Sequence, residues 1–122
     1  MNEEDLKPII VLKLKTWHTG KAHRAEKWEF VEAVCGVSIA PSERNNNNTY
    51  ERKVRAAISE LRNTGALICS DTTGGGYWWA ESIEDVLAIS ESLRDRAKDL
   101  LKTARQLRSQ ARSEFGGQLR ML

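Results

Sequence analysis

Apolar positions along the chain fall into four helical stripes and one strand-like pair of segments. Leu6, Ile10, Leu14 and Trp17 recur at steps of three and four, which puts them on one side of an α-helix. Asp5 is placed to cap this segment, and Pro8 sits in its first turn, where a missing N–H is tolerated. The β-branched run Ile9-Ile10-Val11 leaves a strand open as the alternative. A second helix is expected from about Ala25 to Cys35, with Trp28, Val31 and Val34 on its apolar side, Phe30 beside them and Gly36 as its C-terminal cap. Asn48 or Thr49 caps a third helix. Its stripe is Val54, Ile58 and Leu61, helped by Ala57, and Asn63-Thr64-Gly65 stops it. Arg52, Lys53, Arg55, Ser59 and Arg62 take the opposite side. Between these two helices Val37 to Asn48, with Pro41, Ser42 and Asn45 to Asn48, reads as a loop whose asparagine run is a solvated linker.

Ala66 to Ser70 and Tyr77 to Trp79 read as the two strands of a β-hairpin with a polar tip, Asp71 to Gly76. Three adjacent glycines, Gly74 to Gly76, are costly to order, so the turn must need positive φ or a close backbone approach. Tyr77 and Trp79 share one face of the strand and are expected to point inward, with Trp78 more exposed.

A last helix starts at Ser82, where Ser82-Ile83-Glu84-Asp85 is a variant capping box, and continues to about Phe115, before Gly116-Gly117. Read in sevens, Ile83, Ser90, Ala97, Ala104 and Ala111 fall at one seam position and Val86, Leu93, Leu100 and Leu107 at the other, widened by Leu87 and Leu101. This pattern predicts a homodimer held by Leu93, Ala97, Leu100, Ala104 and Leu107; the alternative is that the stripe folds back on the chain's own core. The expected fold class is mainly α with a small β-hairpin (α+β). Residues 1–81 would form one domain, and residues 82–122 a C-terminal helix serving as dimerisation element.

Composition narrows the chemistry. The formal net charge of the 122 residues is only +2, so no global basic signal exists; the distribution matters more. The basic residues from Arg94 onward follow an acidic stretch containing Glu81, Glu84, Asp85 and Glu91. Cys35 and Cys69 are too few for a disulfide scaffold, and with His18 and His23 they match no common zinc spacing, so no metal or cofactor is expected. No signal-peptide pattern and no apolar run long enough for a membrane span occur, which predicts a cytoplasmic protein. Gly74-Gly75-Gly76 lacks the Lys-Ser/Thr pair and following helix of a phosphate loop, and no nucleophile motif stands elsewhere; a non-enzyme is expected.

The stretch from Thr49 to Glu81, TYERKVRAAISELRNTGALICSDTTGGGYWWAE, resembles the recognition helix and wing of the biotin-repressor-like winged helix-turn-helix group, which is common in small phage and prophage proteins. The Arg-Lys-Val-Arg start, Ala57-Ile58 with Leu61-Arg62, Gly65 and Gly76-Tyr77 with Ala80 carry the resemblance. The two preceding helices fit in order and size, the last helix lies outside it, and the long connection Gly36 to Asn48 departs from the usual short turn. The resemblance implies double-stranded DNA as partner. Thr49, Tyr50, Arg52, Lys53 and Arg55 would enter the major groove, and Thr72, Thr73, Gly74 and Gly75 would lie on the phosphate backbone. A dimeric transcriptional regulator follows from this reading. The near-neutral charge keeps a second class open, a winged-helix module that binds protein, such as a phage-encoded inhibitor or a replication accessory.

Overall fold

The first helix, α1 (Glu3–Trp17), buries Leu6, Ile10 and Leu14 completely, while Trp17 at its end stays exposed. A helix wins over the strand alternative because its period gathers these three residues on the side facing the core. Its cap is Asn2 rather than Asp5. The Asn2 carboxamide oxygen accepts the Asp5 N–H at 3.0 Å, and the Asp5 carboxylate accepts the Asn2 N–H at 3.1 Å, a reciprocal capping box. The earlier start moves Pro8 out of the first turn into the second, where it forgoes a helical bond to the Glu4 carbonyl. The structure is a computed structural model and describes residues 2–71 and 75–116.

α2 (Lys27–Cys35) begins later than its apolar pattern predicts because Ala25 is used elsewhere. The Ala25 N–H donates to the Tyr77 carbonyl at 2.7 Å and its carbonyl accepts the Tyr77 N–H at 3.0 Å. Gly36 ends the helix as expected, with φ 68° and its N–H on the Glu32 carbonyl.

The connection to α3 is solvated along residues 40–47, as expected of a loop, but it is tied down at Ile39. Ile39 is buried, and its N–H donates to the Glu32 carboxylate at 2.7 Å. Arg44 closes the clamp, with Nε on the Ile39 carbonyl at 3.3 Å and Nη2 3.7 Å from Glu32. A 3-10 turn, Pro41–Glu43, follows Ile39. The asparagine run carries local bonds of its own: Asn45 Oδ1 accepts the Asn47 N–H at 2.9 Å, and Asn48 Nδ2 donates to the Glu43 carbonyl at 3.1 Å.

α3 (Thr49–Asn63) is capped by Asn48, whose Oδ1 accepts the Glu51 N–H at 3.0 Å. Val54, Ala57 and Ile58 are buried against α1 and α2, with Leu61 half-buried. Lys7 of α1 bonds to both Glu4 and Glu60, and this pairing raises the lysine pKa and lowers that of Glu60. Arg62 does not share the outward side of Arg52 and Arg55; its Nε donates to the Ile68 carbonyl at 2.7 Å and its Nη2 to Ser70 Oγ at 3.0 Å.

The hairpin pairs β1 (Ile68–Ser70) with β2 (Tyr77–Trp79) in antiparallel register, Ile68 opposite Trp79 and Ser70 opposite Tyr77. The other edge of β2 bonds to the α1–α2 connection: besides Ala25, the Trp79 N–H reaches the His18 carbonyl and the Gly20 N–H reaches the Trp79 carbonyl. Tyr77 enters the main core beside Phe30, as expected. Trp79 packs against the same core, as expected, but the relative exposure of Trp78 and Trp79 is the reverse of that expected. Trp78 is 5% exposed, whereas Trp79 is half-buried with the Lys15 ammonium 4.7 Å from its ring centre. The cause is that both faces of the hairpin are covered. Cys69, directly opposite Trp78, has its Sγ 3.8 Å from the Asp85 carbonyl, so the start of the last helix lies on that face.

α4 (Ile83–Phe115) is a single helix with none of its residues buried. Ser82 Oγ accepts the Asp85 N–H at 3.4 Å, and the Asp85 carboxylate takes the Glu81 N–H at 3.0 Å instead of closing on Ser82. The chain is therefore α+β, mostly helical, with a two-stranded hairpin and a long C-terminal helix. It divides into two compact units, Met1–Val86 and Leu87–Leu122. The first turn of α4 belongs to the first unit because Asp85 ties it to Cys69 and Glu81.

Candidate nucleic-acid interface

The first two turns of α3 carry the basic residues singled out in the sequence. Thr49, Tyr50, Arg52, Lys53 and Arg55 are all exposed. Thr49, Arg52, Lys53 and Arg55 line one open depression together with Glu3 and Ala56. Thr49 and Tyr50 line a neighbouring one with Ser42, Asn45 and Asn47. The clamped α2–α3 connection thus supplies one wall of the surface at the start of α3. Three cationic side chains here adjoin a helix N-terminus, whose N–H groups and dipole favour a negative ligand. Among the described residues no group of three or more His, Cys, Asp or Glu side chains is placed to hold a metal ion.

The hairpin contributes differently. Gly75 has φ 66°, and a β-carbon there would fall 2.9 Å from Lys27 Cδ. Gly76 runs against backbone, where a β-carbon would lie 2.9 Å from the Ala25 carbonyl oxygen. Both features the glycines are expected to serve, positive φ and close approach, are present. Thr72, Thr73 and Gly74 lie outside the described residues.

Two residues beneath this surface, Glu51 and Lys27, are not singled out by the sequence pattern. Glu51, on the first turn of α3, is 1% exposed. Its Oε1 lies 3.5 Å from Lys27 Nζ and its Oε2 3.4 Å from Arg55 Nη2. Lys27 also stands 5.2 Å from the Trp28 ring centre and lays its stem on Gly75. One buried carboxylate therefore joins α2, the outward Arg55 of α3 and, through Lys27, the base of the hairpin tip. Burial and the nearby Glu51 charge raise the Tyr77 pKa. Burial likewise raises the thiols of Cys35 and Cys69, keeping both protonated at neutral pH.

No family model, curated protein or solved structure matches this chain. Its own residues therefore carry the functional reading. On α4, the seam residues are exposed, Leu93 by 42%, Leu100 by 71% and Leu107 by 68%, with Ala97 and Ala104 exposed between them. Among the described residues no helix is long and apolar enough to cross a membrane.

Proposed function

We propose that the chain is a DNA-binding protein of the winged helix-turn-helix kind, a dimeric regulator of transcription that acts in the cytoplasm without catalysis or cofactor. α3 enters the major groove with Arg52, Lys53 and Arg55, with Thr49 and Tyr50 beside them, and the hairpin tip with its glycines lies on the phosphate backbone. The observation that carries this reading is the joint exposure of those cations at the N-terminal end of a helix whose other side is sealed into a three-helix core. The pairing of Ala25 with Tyr77 supports it, because it fixes the hairpin to the segment that leads into α2. Phosphate contact by several cations makes binding fall steeply with salt.

The test is binding of the full chain to random duplex DNA at low and at moderate salt, followed by Arg52→Ala and Lys53→Ala. Truncating a side chain that holds a base edge weakens specific binding by about 1–3 kcal/mol, and at least one of the two variants should show it. Absence of binding at low salt would replace the DNA reading with that of a protein-binding module.

A further inference from the structure

We infer that α4 pairs with α4 of a second copy in antiparallel orientation, with Ala97 opposite the partner's Leu100; this rests on the dimeric reading above and adds its direction. The apolar seam is the starting point. A stripe of leucines up to 71% exposed, running along a helix that buries nothing of its own, needs a covering surface.

Side-chain volume selects the direction. In a parallel pair each layer holds the same residue twice, so Ala97 and Ala104 layers alternate with Leu93, Leu100 and Leu107 layers. Leucine layers then set the helix separation, and the alanine layers between them are left under-filled, which costs stability. In an antiparallel pair every layer joins one position of the seam to the other. Ala97 meets Leu100 of the second copy, Leu93 meets Ala104, and Ser90 meets Leu107. Each layer holds one small and one large residue, and the helices approach evenly along their length. This register also overlaps α4 from end to end.

Charge selects the same direction independently. Between Glu84 and Leu93 the helix carries Glu84, Asp85 and Glu91 and no Lys or Arg; between Lys102 and Arg112 it carries Lys102, Arg105, Arg108 and Arg112 and no Asp or Glu. A parallel pair sets acid beside acid and base beside base. The antiparallel pair sets the acidic end of each helix beside the basic end of the other, and opposes the two helix dipoles. The N-terminal ends of the two α4 helices then stand about 45–50 Å apart at 1.5 Å rise per residue.

Disulfide trapping in the full-length chain tests this. Ser90→Cys and Leu107→Cys are prepared separately, oxidised alone and as a mixture, and the linked peptides are identified by mass spectrometry, which separates them from any link through Cys35 or Cys69. The expected result is a 90-to-107 link in the mixture and no self-link in either variant, since like positions in this register lie about 25 Å apart. A self-link at 90 or 107, or a dimeric mass without the mixed link, overturns the orientation. Light scattering at micromolar concentration covers the remaining case: a monomeric chain overturns the pairing altogether. Duplex binding is measured on the same samples. A chain that binds DNA but fails the trapping test loses this inference alone, and one that traps as expected but does not bind DNA loses the DNA reading alone.

Discussion

Replacing Lys27 by methionine probes the buried carboxylate while keeping an unbranched apolar stem against Gly75 and Trp28. The two cations lie almost equally far from Glu51, at 3.5 Å for Lys27 and 3.4 Å for Arg55. With an effective dielectric constant of 20, either distance gives a gross attraction of about 5 kcal/mol, so distance does not separate them. Solvent does. The Lys27 side chain is 22% exposed and that of Arg55 53%, against 1% for Glu51. Arg55 is screened and should contribute what exposed pairs do, about 0.2–1 kcal/mol. Removing Lys27 leaves a buried carboxylate with only that screened partner. The cost of breaking a buried pair, about 3–5 kcal/mol, is an upper limit that the remaining Arg55 reduces to about 2–3 kcal/mol. Urea denaturation of Lys27→Met, Arg55→Met and Glu51→Gln, with the Lys27→Met/Glu51→Gln double variant, measures both terms. The cycle should show coupling of at least about 1 kcal/mol between Lys27 and Glu51. Duplex binding should rank the two cations the other way, with Arg55→Met the more damaging. An Arg55→Met variant as unstable as Lys27→Met, or a cycle without coupling, refutes the assignment of Glu51 to Lys27.

Three further outcomes are expected. Cys35, Cys69 and Tyr77 hold their protons more tightly folded than unfolded, so their contribution to stability is whole below the ordinary thiol value of 9.0 and is lost as pH rises through it and past the tyrosine's 10.0. Denaturation followed from neutral to alkaline pH should show this fall, and Tyr77→Phe should lessen it at the alkaline end. Gly76→Ala drives a β-carbon against the Ala25 carbonyl and should cost about 1–3 kcal/mol by thermal melting, with faster amide exchange at Tyr77; an unchanged melt would contradict the close approach. Leu100→Lys should convert the proposed dimer to monomer by light scattering and leave the circular dichroism of the first unit's helices in place, because residue 100 lies outside that unit.

Local periodicity carries most of the fold. The stripes of α1, α2 and α3 and the hairpin strands follow from spacing alone, because each is decided within a few turns of chain. What escapes it depends on distant partners. Ala25 looks helical but is taken by Tyr77, and Arg62 looks outward but is drawn back onto β1. Trp78 is expected outward by the rule that a hairpin has one wet face, a rule that fails when a later helix covers that face. Glu51 has a signal that chemistry hides. It stands three residues before Val54 and seven before Ile58, squarely on the buried stripe, but a carboxylate there counts as polar until a lysine from another helix is known to reach it. Of the candidate site, the cations of α3 can be read directly from the chain; the ion pairs beneath them cannot.

The position of β2 decides how a partner can and cannot be recruited. A free strand edge is an invitation to pair with another chain, and many recognition modules work by adding a strand there. Here β2 bonds to β1 on one side and to His18, Gly20 and Ala25 on the other. On the far side of β1, the Ile68 carbonyl is already occupied by the Arg62 guanidinium. A second polypeptide offering an extended segment would have to displace packed backbone on the β2 side, and on the β1 side it meets the part-buried arginine bond at Ile68. Strand addition is thereby discouraged on both flanks of so short a sheet.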